Sequence, residues 1–120
     1  MRNILVVDSL EEERKLLSDS LSEFGLTVVG EAENGLVAYE KYVELKPDLI
    51  TMNINMPVLD GISAVKKIIG DFPHAKIMMV SYNDDRTIAY EAIGSGALDF
   101  FLKTDDIGTL KSKLFSALGL

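Results

Sequence analysis

The chain has no cysteine and no tryptophan, one histidine and three prolines. Without cysteine, neither disulfides nor thiolate metal sites can form. Basic residues are also in deficit. Twelve Lys and Arg stand against 19 Asp and Glu, for a net charge of -7. Phosphate contacts need a basic face, so nucleic acid is not an expected partner. The acids are spread along the chain rather than gathered in a tail, and they serve solubility. No apolar run approaches the roughly 18 residues of a membrane span. The opening RNILVVDSLEEE turns acidic directly after four apolar residues, unlike a secretory leader, so the expected compartment is the cytoplasm. The lone His74 lies between Pro73 and Ala75, before an apolar run, and is assigned no role.

What is present suits one domain over residues 1–120, with 48% hydrophobic content. Short apolar runs alternate with segments of helical period. The runs are ILVV (4–7), TVVGEA (27–32), LITM (49–52), IMMV (77–80) and LDFFL (98–102). Continuously apolar runs suit strands buried on both faces, and the weaker TVVGEA reads as an edge strand. Between them, Leu10, Leu17, Leu21 and Phe24 share a face, as do Leu36, Tyr39 and Val43. Ile62, Val65 and Ile69, then Ile88, Ala89, Ala92 and Ile93, then Ile107, Leu110, Leu114 and Leu118 repeat the pattern. Ser9-Leu10-Glu11-Glu12 reads as a capping box with Ser9 as the cap. Asn34, Asp84 and Asp105 are the expected N-caps of later helices, and Gly25, Gly70 and Gly94 the C-terminal stops.

Five strands alternating with five helices predict an α/β fold, a doubly wound parallel sheet covered on both faces. In such sheets the ligand site lies beyond the carboxyl ends of the strands, where strand order reverses. The residues after each strand therefore belong together: Asp8 and Ser9, Asn53, Ser81 and Lys103. Were Asn53 an aspartate, a carboxylate beside an ammonium and a hydroxyl could accept a phosphoryl group as an acyl phosphate. Carboxylates after the first strand would then hold magnesium.

The stretches ILVVD, PDLITMNINMPVLDG, KIMMVS and GALDFFLK cover all five strands. In them the chain resembles the receiver domain of two-component response regulators, of the chemotaxis-regulator kind. The resemblance implies a flavodoxin-like sheet in the order 2-1-3-4-5 and a non-enzymatic signalling role. It makes Asp8 one of an acidic pair and puts Asn53 where the phosphorylated aspartate would stand. Asn55 would offer a backbone carbonyl to the metal. Ser81 becomes the switch hydroxyl, Lys103 the phosphoryl-binding lysine and Phe100 the aromatic switch position. Implied partners are signalling proteins, whether a histidine kinase, an output domain or another protein, docking on the fourth helix, fifth strand and fifth helix. The expected assembly is a monomer or weak homodimer.

The chain departs from that pattern at four places. Ser9 replaces an acid, Asn53 replaces the acceptor, Tyr82 stands where a small residue is usual and narrows access, and Thr104 stands where proline is usual. An amide offers one acceptor and two donors, no charge, and no nucleophilic oxygen. With Asp8 facing Lys103, the edge charge sums to zero, so no cofactor is expected and magnesium at Asp8, Asn53 and Asn55 would be weak. The expected function is an atypical, phosphorylation-dead receiver acting by protein–protein contact. Phe100 is expected to be turned in, with Tyr82 competing for its space. Three alternatives stay open: an acceptor at Ser81 or Asp8, a deliberate replacement of aspartate by its isostere, and a nucleotide-binding enzyme on the same fold. The last is disfavoured because no Gly-rich phosphate loop follows any strand.

Overall fold

The computed structural model describes residues 2–120. Five strands and five helices alternate: β1 (Asn3–Val7), α1 (Glu11–Glu23), β2 (Thr27–Ala32), α2 (Gly35–Leu45), β3 (Leu49–Met52), α3 (Gly61–Asp71), β4 (Ile77–Ser81), α4 (Arg86–Gly94), β5 (Asp99–Leu102) and α5 (Ile107–Ala117). All pairings are parallel and the sheet runs β2-β1-β3-β4-β5.

Side chains alternate across the sheet and feed two cores. Leu5, Val7, Ile50, Met52, Ile77 and Met79 point towards α2, α3 and α4, where they meet Ala38, Val65, Ile68 and Ala92. Ile4, Val6, Leu49, Met78, Val80 and Phe101 point towards α1 and α5, against Leu21, Leu110 and Leu114. Each central strand is buried on both faces, which is why its sequence is continuously apolar. Burying a side chain of this size is worth roughly 1.5–3 kcal/mol, so the two cores dominate the fold's stability. The edge strand β2 is only partly buried, as its weaker pattern predicts.

Several local expectations are corrected. Ser9 does not cap α1. The N-cap position is Leu10, without a side-chain cap bond, and Asp8 Oδ1 accepts the Leu10 N–H at 3.1 Å. Asn34 does cap α2, accepting from Val37 N–H. The caps of α4 and α5 are Asp85 and Asp106, each one residue beyond the predicted acid. Gly25 follows α1 with φ +83, a left-handed value that favours glycine. Gly70 lies inside α3, and the left-handed residue after α4 is Gly96, not Gly94. The predicted stripe of α2 holds at Tyr39, which packs on the core, but fails at its other two positions. Leu36 and Val43 are exposed, whereas Gly35 and Ala38 are buried and Val37 and Tyr42 pack on the core. Leu10, Ile93 and Ile107 likewise face solvent.

Candidate functional site

The strand order reverses between β1 and β3, and the carboxyl ends of the strands bring Asp8, Asn53, Ser81 and Lys103 to one edge. Asp8 follows β1 and is buried. Its Oδ2 meets Lys103 Nζ at 2.8 Å, the expected pair. A second carboxylate arrives unannounced. Glu13, on the first turn of α1, places Oε1 2.8 Å from the same ammonium. Side-chain exposures of 12% for Lys103, 6% for Asp8 and 18% for Glu13 put all three largely out of water. Two carboxylates against one ammonium leave a net negative charge, correcting the expected balance of zero. Burial pulls the Lys103 pKa down, but the hydrogen bonds and charges of Asp8 and Glu13 outweigh it and hold the pKa above the ordinary 10.5. The ring of Tyr82 lies with its centroid 5.0 Å from Lys103 Nζ, within cation–π range.

Arg14, next on α1, donates from Nη1 to the Asp8 carbonyl at 2.8 Å and from Nε to Glu31 on β2 at 2.9 Å. Its guanidinium closes the start of α1 against the sheet edge.

Asn53 is half-buried. Its N–H donates to the Val7 carbonyl at 3.0 Å, and its Oδ1 accepts the Ile54 N–H at 2.8 Å. The loop beyond it closes on itself, because Gly61 N–H donates to the Ile54 carbonyl at 2.8 Å. A Cβ on Gly61 would sit 2.0 Å from the Asn53 carbonyl oxygen, an overlap no side chain tolerates, so glycine is required there. Within this loop Val58 adopts φ 67, a left-handed conformation costly for a β-branched residue.

Asn55 is exposed and lines a cleft between α3 and α4 with Asp60, Ser63, Lys66 and Glu91. Ser81 is buried and its Oγ accepts the Asn83 N–H at 3.1 Å, while its carbonyl accepts from Lys103 N–H at 2.8 Å. Ser9 is half-buried beside Asp8. Phe100 is partly buried against the α2–α4 core and Phe101 fully buried in the other, as strand alternation predicts. Tyr82 does not compete for the Phe100 space. It is 61% exposed and borders a cleft of about 140 Å³ on the opposite side of the sheet, with Leu16, Leu17, Phe101 and Ile107. It covers Lys103 instead. The peptide bond before Thr104 is trans, like every described peptide. No three His, Cys, Asp or Glu side chains gather into a metal-holding group among the described residues, and no helix among them is long and apolar enough to cross a membrane.

Glu13 and Arg14 are the residues that sequence reasoning missed, whereas Gly61 closes the quoted stretch PDLITMNINMPVLDG. Glu13 carried a signal. It sits four residues before Leu17 and eight before Leu21, on the apolar stripe of α1 rather than its charged face.

Comparison with known proteins agrees with this geometry. The response regulator receiver domain profile matches residues 4–115. Chemotaxis protein CheY of Thermotoga maritima is 44% identical over 102 residues, covering 85% of each chain. The solved response regulator domain of Thermotoga maritima CheB superposes with a TM-score of 0.88 at 38% identity, covering 98% of this chain and 96% of that one. A CheX-CheY-BeF3-Mg complex from Borrelia burgdorferi matches with a TM-score of 0.91 at 26% identity, covering 95% of this chain and 87% of its counterpart. Sheet order, the residues gathered at its carboxyl edge and these relatives agree, and the chain belongs to the receiver domains of two-component response regulators, as a CheY-like member.

Proposed function

We propose that this receiver is phosphorylation-dead at its acceptor position and works as a protein-interaction module. The observation that carries the reading is Asn53 at the carboxyl end of β3. Its amide has no nucleophilic oxygen, and its Oδ1 is occupied by the Ile54 N–H. The lysine that would receive the phosphoryl charge is turned to Asp8 and Glu13. In this reading Asn53 is the acceptor equivalent, Asp8, Ser9, Ser81 and Lys103 line the pocket, and Ser81 and Phe100 are the switch positions. The domain is not an enzyme and carries no catalytic residue. Both Asp8 oxygens are engaged, one with Leu10 N–H and one with Lys103, and Ser9 brings no charge. That donor set does not fit a divalent ion, so magnesium binds weakly at most.

Output then comes from a fixed surface. Tyr90 and Ile93 on α4 and Leu98 just before β5 are exposed large apolar side chains on elements of the α4-β5-α5 region. They suit a signalling partner there; that receivers of this kind bind proteins is supported by the Borrelia burgdorferi CheY, solved in complex with CheX.

Intact-mass spectrometry after incubation with acetyl phosphate tests this. The mass stays unchanged, and the same protein titrated with magnesium chloride keeps its melting temperature. A stoichiometric gain of one phosphoryl group, on Ser81 or Asp8 for example, overturns the reading in favour of another acceptor.

A further inference from the structure

The first turn of α1 carries three glutamates, Glu11, Glu12 and Glu13. The first two are exposed, the usual state of acids at a helix N-terminus. Glu13 is not. Its carboxylate lies 2.8 Å from Lys103 Nζ across 90 positions of sequence. An ammonium has three N–H donors, and here two are committed, to Asp8 Oδ2 and Glu13 Oε1. The face of Tyr82 covers the same cation. Asn53 Oδ1 and Ser81 Oγ meanwhile each accept a neighbouring backbone N–H rather than a Lys103 donor.

A phosphoryl group arriving at residue 53 would need that ammonium to face it as charge develops. A second carboxylate, hydrogen-bonded to a largely buried lysine, competes for the same donor where charge interactions are strong. We propose that Glu13 is an internal anion that holds Lys103 on the α1 side and withholds it from position 53. The site is then silenced twice, by the amide and by this latch. The inference rests on the non-accepting reading above and adds its second cause. Glu13 is a positioning residue, acting only through Lys103. The raised Lys103 pKa agrees with this arrangement.

Glu13→Gln tests it, because glutamine keeps the length, the helix preference and an acceptor oxygen while removing the charge. In the first experiment Asn53→Asp, Asn53→Asp/Glu13→Gln and the control Asn53→Asp/Glu12→Gln are incubated with phosphoramidate in magnesium buffer. The new carboxylate attacks phosphorus, an O–P bond forms, the P–N bond breaks, and ammonia leaves with the electron pair. No redox partner is involved. The Glu13→Gln double variant gains its phosphoryl mass on the order of tenfold faster than the other two. In the second experiment Asn53 is left intact and the Lys103 ammonium is followed by NMR. Its hydrogen exchange rises on the order of tenfold in Glu13→Gln and is unmoved in Glu12→Gln. Equal labelling of the three variants, labelling of none, or an unmoved Lys103 ammonium overturns the proposal. Failure of the non-accepting reading shows differently, as phosphoryl mass on the parent protein.

Discussion

Lys103 and Asn53 stand at one edge of the sheet but are held in opposite ways. The Lys103 side chain is bound to partners 95 and 90 positions away, one directly after β1 and one on α1. The Asn53 and Ser81 side chains bond backbone one and two positions away. Lys103 therefore joins three elements into one body, and moving it breaks tertiary structure. The hydroxyl and the amide can turn at the loss of one hydrogen bond each, typically about 1 kcal/mol. One half of the site is built into the fold and the other is only carried by it.

Breaking the built-in half has the largest effect. Lys103→Met leaves two largely buried carboxylates facing each other without a cation, and stability falls by about 3 kcal/mol. Urea unfolding reads this out, and a loss under about 1 kcal/mol would place the triad among solvent-screened surface pairs. A pH series sharpens the point. The folded Lys103 pKa lies above its unfolded value, so its stabilisation is fully present below the unfolded pKa and disappears as pH rises through the folded one. The stability gap between the parent and Lys103→Met thus stays level between about pH 8 and about pH 10, then closes by at most about 1.4 kcal/mol per pH unit. A gap that shrinks already near neutrality contradicts the assigned direction. The smallest effect belongs to the carried half. Ser81→Ala removes the acceptor for Asn83 N–H and lowers stability by about 0.5 kcal/mol, with no change in the Lys103 signals. A shift of Lys103 in that variant would show the halves to be coupled.

The same division marks what the sequence discloses. The strands are legible because double-faced burial writes continuous apolar runs, and Phe100 and Phe101 separate by simple alternation. Asp8, Asn53, Ser81 and Lys103 are legible because strand ends converge, and the Asp8–Lys103 pair follows from that convergence. Glu13 is hidden among identical neighbours, and only its place on the apolar stripe separates it from Glu11 and Glu12. The caps of α4 and α5 fail for a related reason. Asp84-Asp85 and Asp105-Asp106 are adjacent acids, and the choice between them depends on where the preceding loop ends, which local preference does not encode. The α2 stripe fails at Leu36 and Val43 because Gly35 is fixed by a close approach to the Leu59 carbonyl, setting the helix rotation by backbone contact rather than by its larger apolar residues.

The grip on residue 53 has a last consequence. Its N–H is taken by Val7, its carbonyl is abutted by Gly61, and the next residue is tied back to Gly61. None of these contacts uses a side-chain atom of residue 53. The position is a socket built largely of backbone, and a carboxylate oxygen can accept the Ile54 N–H as the amide oxygen does, so carboxylate and amide exchange there by one substitution without reshaping the loop.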